Sequence, residues 1–374
     1  MNVPAALSSR HYLDHASTSP ARPEVVEAML PWLSGAADPG RVHTEGRVAR
    51  AAVEGAREQV AALLGCRARE VVFTSGATEA VSAAVWGATE RGGHIVSSAV
   101  EHSAVREASA RSDVTEVGVG GLGRIDPLEV AAAVRPGKTA LVNVQLGNHE
   151  VATLQPVGEV VAGCRRPGVL VHVDAAAAAG HLPVDFAALG ADLMSVSAHK
   201  FGGPQGVGAL VVRRGLRLRP LLVGGEQERS RRAGMENVAG IVGFGAAAAA
   251  VDVAGESVRA QAQTETVLAG ALRIDGVISY GDIENRLPHI VCVGVDGVEA
   301  EAVLLGLDQA GIAAHSGSAC SSESLEPSPV LEAMGVDAER SLRVSVGWST
   351  TDADIGAFVG AFPAVVGRLR QLRS

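Results

Sequence analysis

Lysine is scarce in this chain: of 32 basic residues only Lys138 and Lys200 are lysines, the rest being arginine. Lys200 stands in "SVSAHKFGGPQGVGALVV", where an apolar run ends and a glycine-rich turn begins. A lysine at the end of a buried strand is desolvated, which lowers its pKa and frees its amine to form an imine with a carbonyl compound. Arginine stays protonated and cannot do this. Ser197 and His199 stand beside it as hydrogen-bonding groups, and the glycines of "FGGPQG" let backbone approach a ligand closely.

Pyridoxal 5'-phosphate requires an imine-forming lysine, an anion beside its pyridine nitrogen, donors around its phosphate and a group stacked on its ring. Each has a candidate. Asp174 ends the apolar run "VLVHVD" and is suited to the pyridinium, although an aspartate there could equally cap a following helix. In "TSGATEA", Ser75, Gly76, Ala77 and Thr78 fall where a strand turns into a helix, so backbone N–H groups and hydroxyls would face an anion. His102, in "VEHSAV", could stack on the ring and move protons, or be structural.

Of four cysteines, Cys66, Cys164 and Cys292 sit beside apolar residues and read as small core fillers. Cys320 differs, because "HSGSACSSESLEPSPV" has loop composition. A thiol there invites oxidation unless it has a chemical task, and nucleophilic use requires a neighbour to deprotonate it. His315 is close in sequence and reads as a surface histidine. The four are widely spaced, so neither a disulfide framework nor a zinc site is suggested.

These residues need a scaffold. From about residue 50 helix-like and strand-like runs alternate ("AAVEGAREQVAALLG", "EVVFTSG", "TEAVSAAVWGATERG", "HIVSSAVEH") and continue through "TALVNVQLGN", "GVLVHVDA" and "DLMSVSAHK". Such alternation predicts an α/β fold with a mostly parallel sheet covered by helices, its ligand site at the carboxyl ends of the strands. A long helical stretch near residues 245 to 272 then leads into "HIVCVGVDG", "EAEAVLLGLDQAG", "SLRVSVGW" and a last helix, which reads as a smaller α+β domain. The expected division is a large domain over 16–255 and a small one from 1–15 and 256–374.

Over nearly the whole chain, "YLDHASTSP", "FTSGATEA", "EHSAV", "HVDA", "SAHKFGGPQGVGALVVRRG", "SGSACSS" and "SLRVSVG" resemble, in order, the landmarks of cysteine desulfurases of the NifS/IscS type. These belong to the class V aminotransferase family of pyridoxal-phosphate enzymes. The resemblance implies the fold-type I architecture, a homodimer, and conversion of L-cysteine to L-alanine with the sulfur left as a persulfide on Cys320. The sulfur would then pass to an acceptor protein or small thiol, for iron-sulfur clusters, thiolated RNA or a sulfur-containing metabolite. It implies that Lys200 anchors the cofactor as a Schiff base, Asp174 pairs with the pyridine nitrogen, and His102 stacks and serves acid/base steps. Thr78, Ser197 and His199 would contact phosphate, Asn148 and His149 would lie near the substrate, and Arg343 would bind its carboxylate. Without the resemblance Arg343 reads as an ordinary strand arginine.

Three positions depart from the family pattern. His149 in "NHE" replaces an asparagine, Ala177 replaces a glutamine that bonds the ring hydroxyl, and Met235 replaces a threonine reaching the partner subunit's phosphate. Two alternative readings therefore stay open: another pyridoxal-phosphate lyase acting on selenocysteine or cysteine sulfinate, or a weakly active paralogue with a binding or regulatory role. The net charge of -9 comes without a basic cluster, so no direct nucleic-acid binding is expected. The first residues lack a signal-peptide layout and the longest apolar run, Val238 to Val251, is short for a bilayer, so the expectation is a cytoplasmic protein with no membrane association.

Overall fold

Residues 10–36, 38–90, 92–316 and 327–372 are described by the computed structural model. Among them the apolar runs form twelve strands: β1 (His11–Tyr12), β2 (Val71–Thr74), β3 (His94–Ser98), β4 (Asp113–Val117), β5 (Thr139–Gln145), β6 (Leu170–Asp174), β7 (Leu193–Ser197), β8 (Gly208–Val212), β9 (Val277–Tyr280), β10 (Ile290–Val295), β11 (Ile312–Ala313) and β12 (Ser341–Ser345). Seven of these make the main sheet, in the order β2-β8-β7-β6-β5-β3-β4. From β7 to β4 all neighbours are parallel; β8 runs against both β7 and β2, so β2 shares the direction of β7. The mostly parallel sheet expected from the alternation is present.

Because side chains alternate across a strand, each strand feeds two cores. Val71, Phe73, Val142, Val144, Val171, Val173, Val196 and Val211 pack on one face with the helices Thr44–Leu63 and Val238–Ala250. Val72, Ile95, Leu141, Leu193 and Leu210 pack on the other, against the helix Ala77–Thr89. The Ala- and Gly-rich composition serves close approach here. At Gly245 a Cβ would lie 2.6 Å from the Ala56 Cα, so only glycine lets these two helices touch at that point.

On the second face the character changes along the strands. Leu141, Leu193 and Ile95 give way, toward the carboxyl ends, to Asn143 and Gln145, Ser195 and Ser197, and Ser97, with His172 and Asp174 between them on β6. That polar end of one face is where the site forms.

The long helical stretch breaks into Val238–Ala250 and Val253–Ala271, because Asp252 caps the second helix by accepting from Gly255 N–H at 3.1 Å. A second sheet, β9, β10 and β12, is antiparallel and packs with that second helix and with Asp352–Gln371 around Val293, Val344, Phe358 and Phe362. The start of the chain belongs to this core: β1 pairs in parallel with β11, and Leu13 is fully buried. Among the described residues no single helix is long and apolar enough to cross a membrane.

Candidate active site

A cavity of about 450 Å³ opens at the carboxyl ends of β2, β3, β5, β6 and β7, where parallel sheets gather their ligands. It is walled by Ser75, Gly76, Ala77, Thr78, His102, His149, Asp174, Ala177, Ser197, His199 and Lys200, so eleven residues singled out from the sequence share one space. Its size is that of an ordinary cofactor site.

Lys200 lies in a single 3₁₀ turn, Ala198–Phe201, directly after β7. Its Nζ donates to the carbonyls of Ala16 at 2.5 Å and Ser17 at 3.1 Å, while its own carbonyl accepts from the Ser19 hydroxyl. The turn ends at Gly202, φ 89°, where a Cβ would meet Arg22 and the Trp348 ring nitrogen. The glycines after Lys200 therefore divide their work: Gly202 and Gly203 let the chain pack on itself, and Gly206 reaches the cavity. His199 bonds Thr18 Oγ1 at 3.1 Å and is pushed down to about 4 by burial and the nearby lysine charge, which makes it a neutral imidazole at neutral pH.

Asp174 closes β6 and lines the cavity. Its Oδ1 accepts from the Ser195 hydroxyl and the Ala176 N–H, both at 3.0 Å. No helix follows Asp174 directly, so the capping alternative fails; the carboxylate holds the Ala176 N–H of a turn while still facing the cavity.

The helix Ala77–Thr89 points its amino end at the same space. Ser75 N–H is taken by the Glu79 carboxylate at 2.7 Å, and Arg232 holds Glu79 in place. The N–H groups of Ala77 and Thr78 have no partner among the described residues, and helix geometry leaves them for an anion. His102 caps the helix Ser103–Ser109, its Nδ1 accepting from Ala104 N–H at 3.0 Å, which puts the ring proton on Nε2. Its ring and that of His149 lie edge to face, their centroids 4.9 Å apart.

Two expected substrate residues lie behind this wall. Asn148 is fully buried and spends its side chain on the turn, donating to the Val100 carbonyl and accepting from the Glu150 and Val151 N–H groups. Arg343 is 1% exposed; Nη1 donates to the His149 carbonyl, and Nη2 to Asp14 Oδ1 at 3.0 Å and Ser17 Oγ at 2.7 Å. A lone buried guanidinium would be costly, and Asp14 supplies its counter-charge. Ser17 joins the two cations, giving its carbonyl to Lys200 and its hydroxyl to Arg343. Cys320 lies outside the described residues. The other three thiols are pushed up by burial, Cys66 to about 12, and none competes as a nucleophile.

Sequence reasoning missed Thr18, Gln145 and Gln205, which also line the cavity. The motifs "STSP", "NVQLGN" and "GGPQG" held the signal: a polar side chain at the end of an apolar run beside Gly or Pro.

The class-V aminotransferase model matches residues 11–358. This chain belongs to that family. A cysteine desulfurase of Trichormus azollae is 42% identical over 380 residues, covering 96% of this chain and 94% of that protein. Among solved structures, a NifS-like protein superposes with a TM-score of 0.89 at 30% identity, covering 96% of this chain and all of that one. A structure described as SspA in complex with cysteine gives 0.81 at 30% identity, covering 90% and 98%.

Class-V aminotransferases use pyridoxal 5'-phosphate, and the donor set of this one fits it. An amine, an anion, a helix amino end and three imidazoles surround one cavity of suitable volume. Ala177 and His149 are both on the wall, so two of the departures from the family pattern bear on the cofactor directly. Met235 is 63% exposed and does not line this cavity.

Proposed function

We propose that the protein is a cysteine desulfurase: it converts L-cysteine to L-alanine and leaves the sulfur on Cys320 as a persulfide. The observation that carries this reading is the single cavity uniting Lys200, Asp174, His102 and the helix amino end in a class-V chain. Lys200 would hold pyridoxal phosphate covalently, Asp174 its ring nitrogen, and Ala77, Thr78, Ser197 and His199 its phosphate. When bound, the cofactor supplies an electron sink for the substrate carbon.

The remaining work falls to side chains. Lys200 and the Nε2 of His102 can each carry a proton at the cavity edge. Arg343 offers a planar, two-pronged cation for the substrate carboxylate once the Ser17 hydroxyl yields Nη2. The flanks of the Cys320 segment are anchored beside the site. His315 exchanges backbone hydrogen bonds with Arg343, and Ser328 donates to Glu150, the neighbour of His149. Cys320 is four residues beyond Ser316, a reach of at most about 14 Å. The step balances: the thiolate takes the substrate sulfur, forming S–S as C–S breaks, and the carbon fragment is protonated to alanine.

The exposed apolar residues Leu222, Val223 and Met235 support a homodimer whose partner covers that segment. The acceptor would be a protein or small thiol in the reducing cytoplasm. The test is alanine release from L-cysteine, with reductant and added cofactor, for the wild type and Cys320→Ala. Loss of activity in the variant supports the reading. Release that persists without Cys320 would assign the chain to the other pyridoxal-phosphate lyases, and a wild type that binds no cofactor would leave it a binding protein.

A further inference from the structure

Behind Asp174 a chain of buried hydrogen bonds crosses three adjacent strands of the main sheet. Ser109 contacts Asn143 on β5 at 3.1 Å, Asn143 contacts His172 Nδ1 on β6 at 3.0 Å, and His172 Nε2 contacts Ser195 Oγ on β7 at 3.2 Å. Ser195 then donates to Asp174 Oδ1. Ser109, Asn143, His172 and Ser195 are at most 2% exposed. The register explains the alignment, because Asn143 pairs with His172 and Asp174 with Ser195, all on one face. Leucine and valine would fill these positions more cheaply if packing were their only task, since buried polar groups cost free energy unless every one is bonded.

Counting protons fixes the direction of the chain. The single Ser195 hydroxyl proton goes to Asp174, so His172 must donate from Nε2. Complete burial pushes the His172 imidazole down to about 4, so the ring is neutral and its Nδ1 is an acceptor. As placed, Asn143 Oδ1 faces His172 Nδ1 and its Nδ2 donates to Ser109 Oγ. A side-chain amide can turn by a half-circle, and a neutral ring accepting at Nδ1 requires the turned orientation, with the Ser109 hydroxyl donating to Oδ1. Asp174 then receives two hydrogen bonds on Oδ1, and no bond to Oδ2 is made among the described residues. Glu101, the buried carboxyl near Asp174, is pushed up to about 8 by burial and then by the charge of Asp174. It therefore stays protonated near neutral pH and leaves the negative charge to Asp174, with His149 the other titratable group nearby.

We propose that His172 is a positioning residue of the cofactor site, acting through Ser195 to hold Asp174 as a carboxylate with Oδ2 turned to the cavity. The inference rests on the reading that Asp174 faces the cofactor ring nitrogen. Hydrogen bonds to charged groups are among the strong ones, so losing the Ser195 bond should weaken cofactor binding about tenfold or more.

Two measurements test it. In the cofactor-free protein, the ¹⁵N shifts of His172 should show a neutral ring protonated on Nε2; an imidazolium or the Nδ1–H tautomer overturns the proposal. With pyridoxal 5'-phosphate as the probe, Ser195→Ala and His172→Phe should each raise its dissociation constant about tenfold and shift the absorbance band of the bound cofactor, while Ser195→Thr restores both. Wild type that binds no cofactor defeats the functional reading, not the tautomer result. Cofactor bound with unchanged affinity and spectrum in folded Ser195→Ala contradicts the positioning role alone.

Discussion

On the side of the cavity made by the main sheet, Asp174, Ser197 and Lys200 sit at or just after strand ends and face the open space. On the side made by residues 14–18 and β12, the cation is Arg343, held behind the wall by Asp14, Ser17 and the His149 carbonyl. On the first side Asp174 and Ser197 are in place before any ligand arrives, and only Lys200 Nζ must let go of the Ala16 and Ser17 carbonyls. The second must exchange a protein partner for a substrate carboxylate. The contrast teaches that cofactor and substrate are recognised at different energetic cost: preorganised groups act without rearrangement, whereas a buried ion pair must yield a bond first.

The most severe way to break the comparison is on the built side. Lys200→Ala should lower alanine formation by about a thousandfold or more and remove the covalently bound cofactor absorbance. Retained turnover would show that the strand-end lysine is not the anchor. On the exchanging side, Asp14→Asn strands the buried Arg343 charge and should cost about 3 kcal/mol in urea unfolding, with cofactor affinity changed by no more than about twofold. An equal loss in cofactor affinity would mean that the two sides are not separable.

Much of the built side was legible in the sequence, because each residue there ends an apolar run and carries a type that its neighbours do not need. Lys200, Asp174 and His102 announce themselves in this way. The exchanging side was not legible: Asp14 is 329 positions from Arg343, and nothing local marks either as the other's partner. Nor was the band Asn143, His172, Ser195, since one polar residue inside an apolar strand looks the same whether it faces a core or a network. Asn148 was placed with the substrate by resemblance, whereas its geometry makes it a turn residue.

A third prediction concerns pH. His172, His181 and His199 are each pushed down to about 4 and His15 to about 3, burial being the first cause in every case. Between about pH 6.5 and 4 the unfolded chain binds more protons than the folded one, so stability falls as the pH is lowered through this window. Glu101 acts oppositely: raised to about 8, it makes the folded chain the better proton binder and costs stability as pH rises from about 4.5 to 8. The melting temperature should therefore drop below pH 6, and Glu101→Gln should flatten the alkaline side and steepen the fall between about pH 6.5 and 4.5. A melting temperature constant from pH 7 to 4.5 would contradict the buried neutral imidazoles. The smallest effect sharpens the cofactor wall: Ala177→Gln adds an amide to the cavity and should tighten pyridoxal-phosphate binding by about three- to tenfold. No change would indicate that His149 already fills that role.

The central claim is that substrate sulfur passes to Cys320. The direct measurement is mass spectrometry of the Cys320-containing peptide after a single turnover with L-cysteine in the absence of reductant. The account predicts the gain of one sulfur atom on that peptide, matched one-to-one by released alanine. Alanine released with the Cys320 peptide unmodified and sulfide free in solution would contradict it.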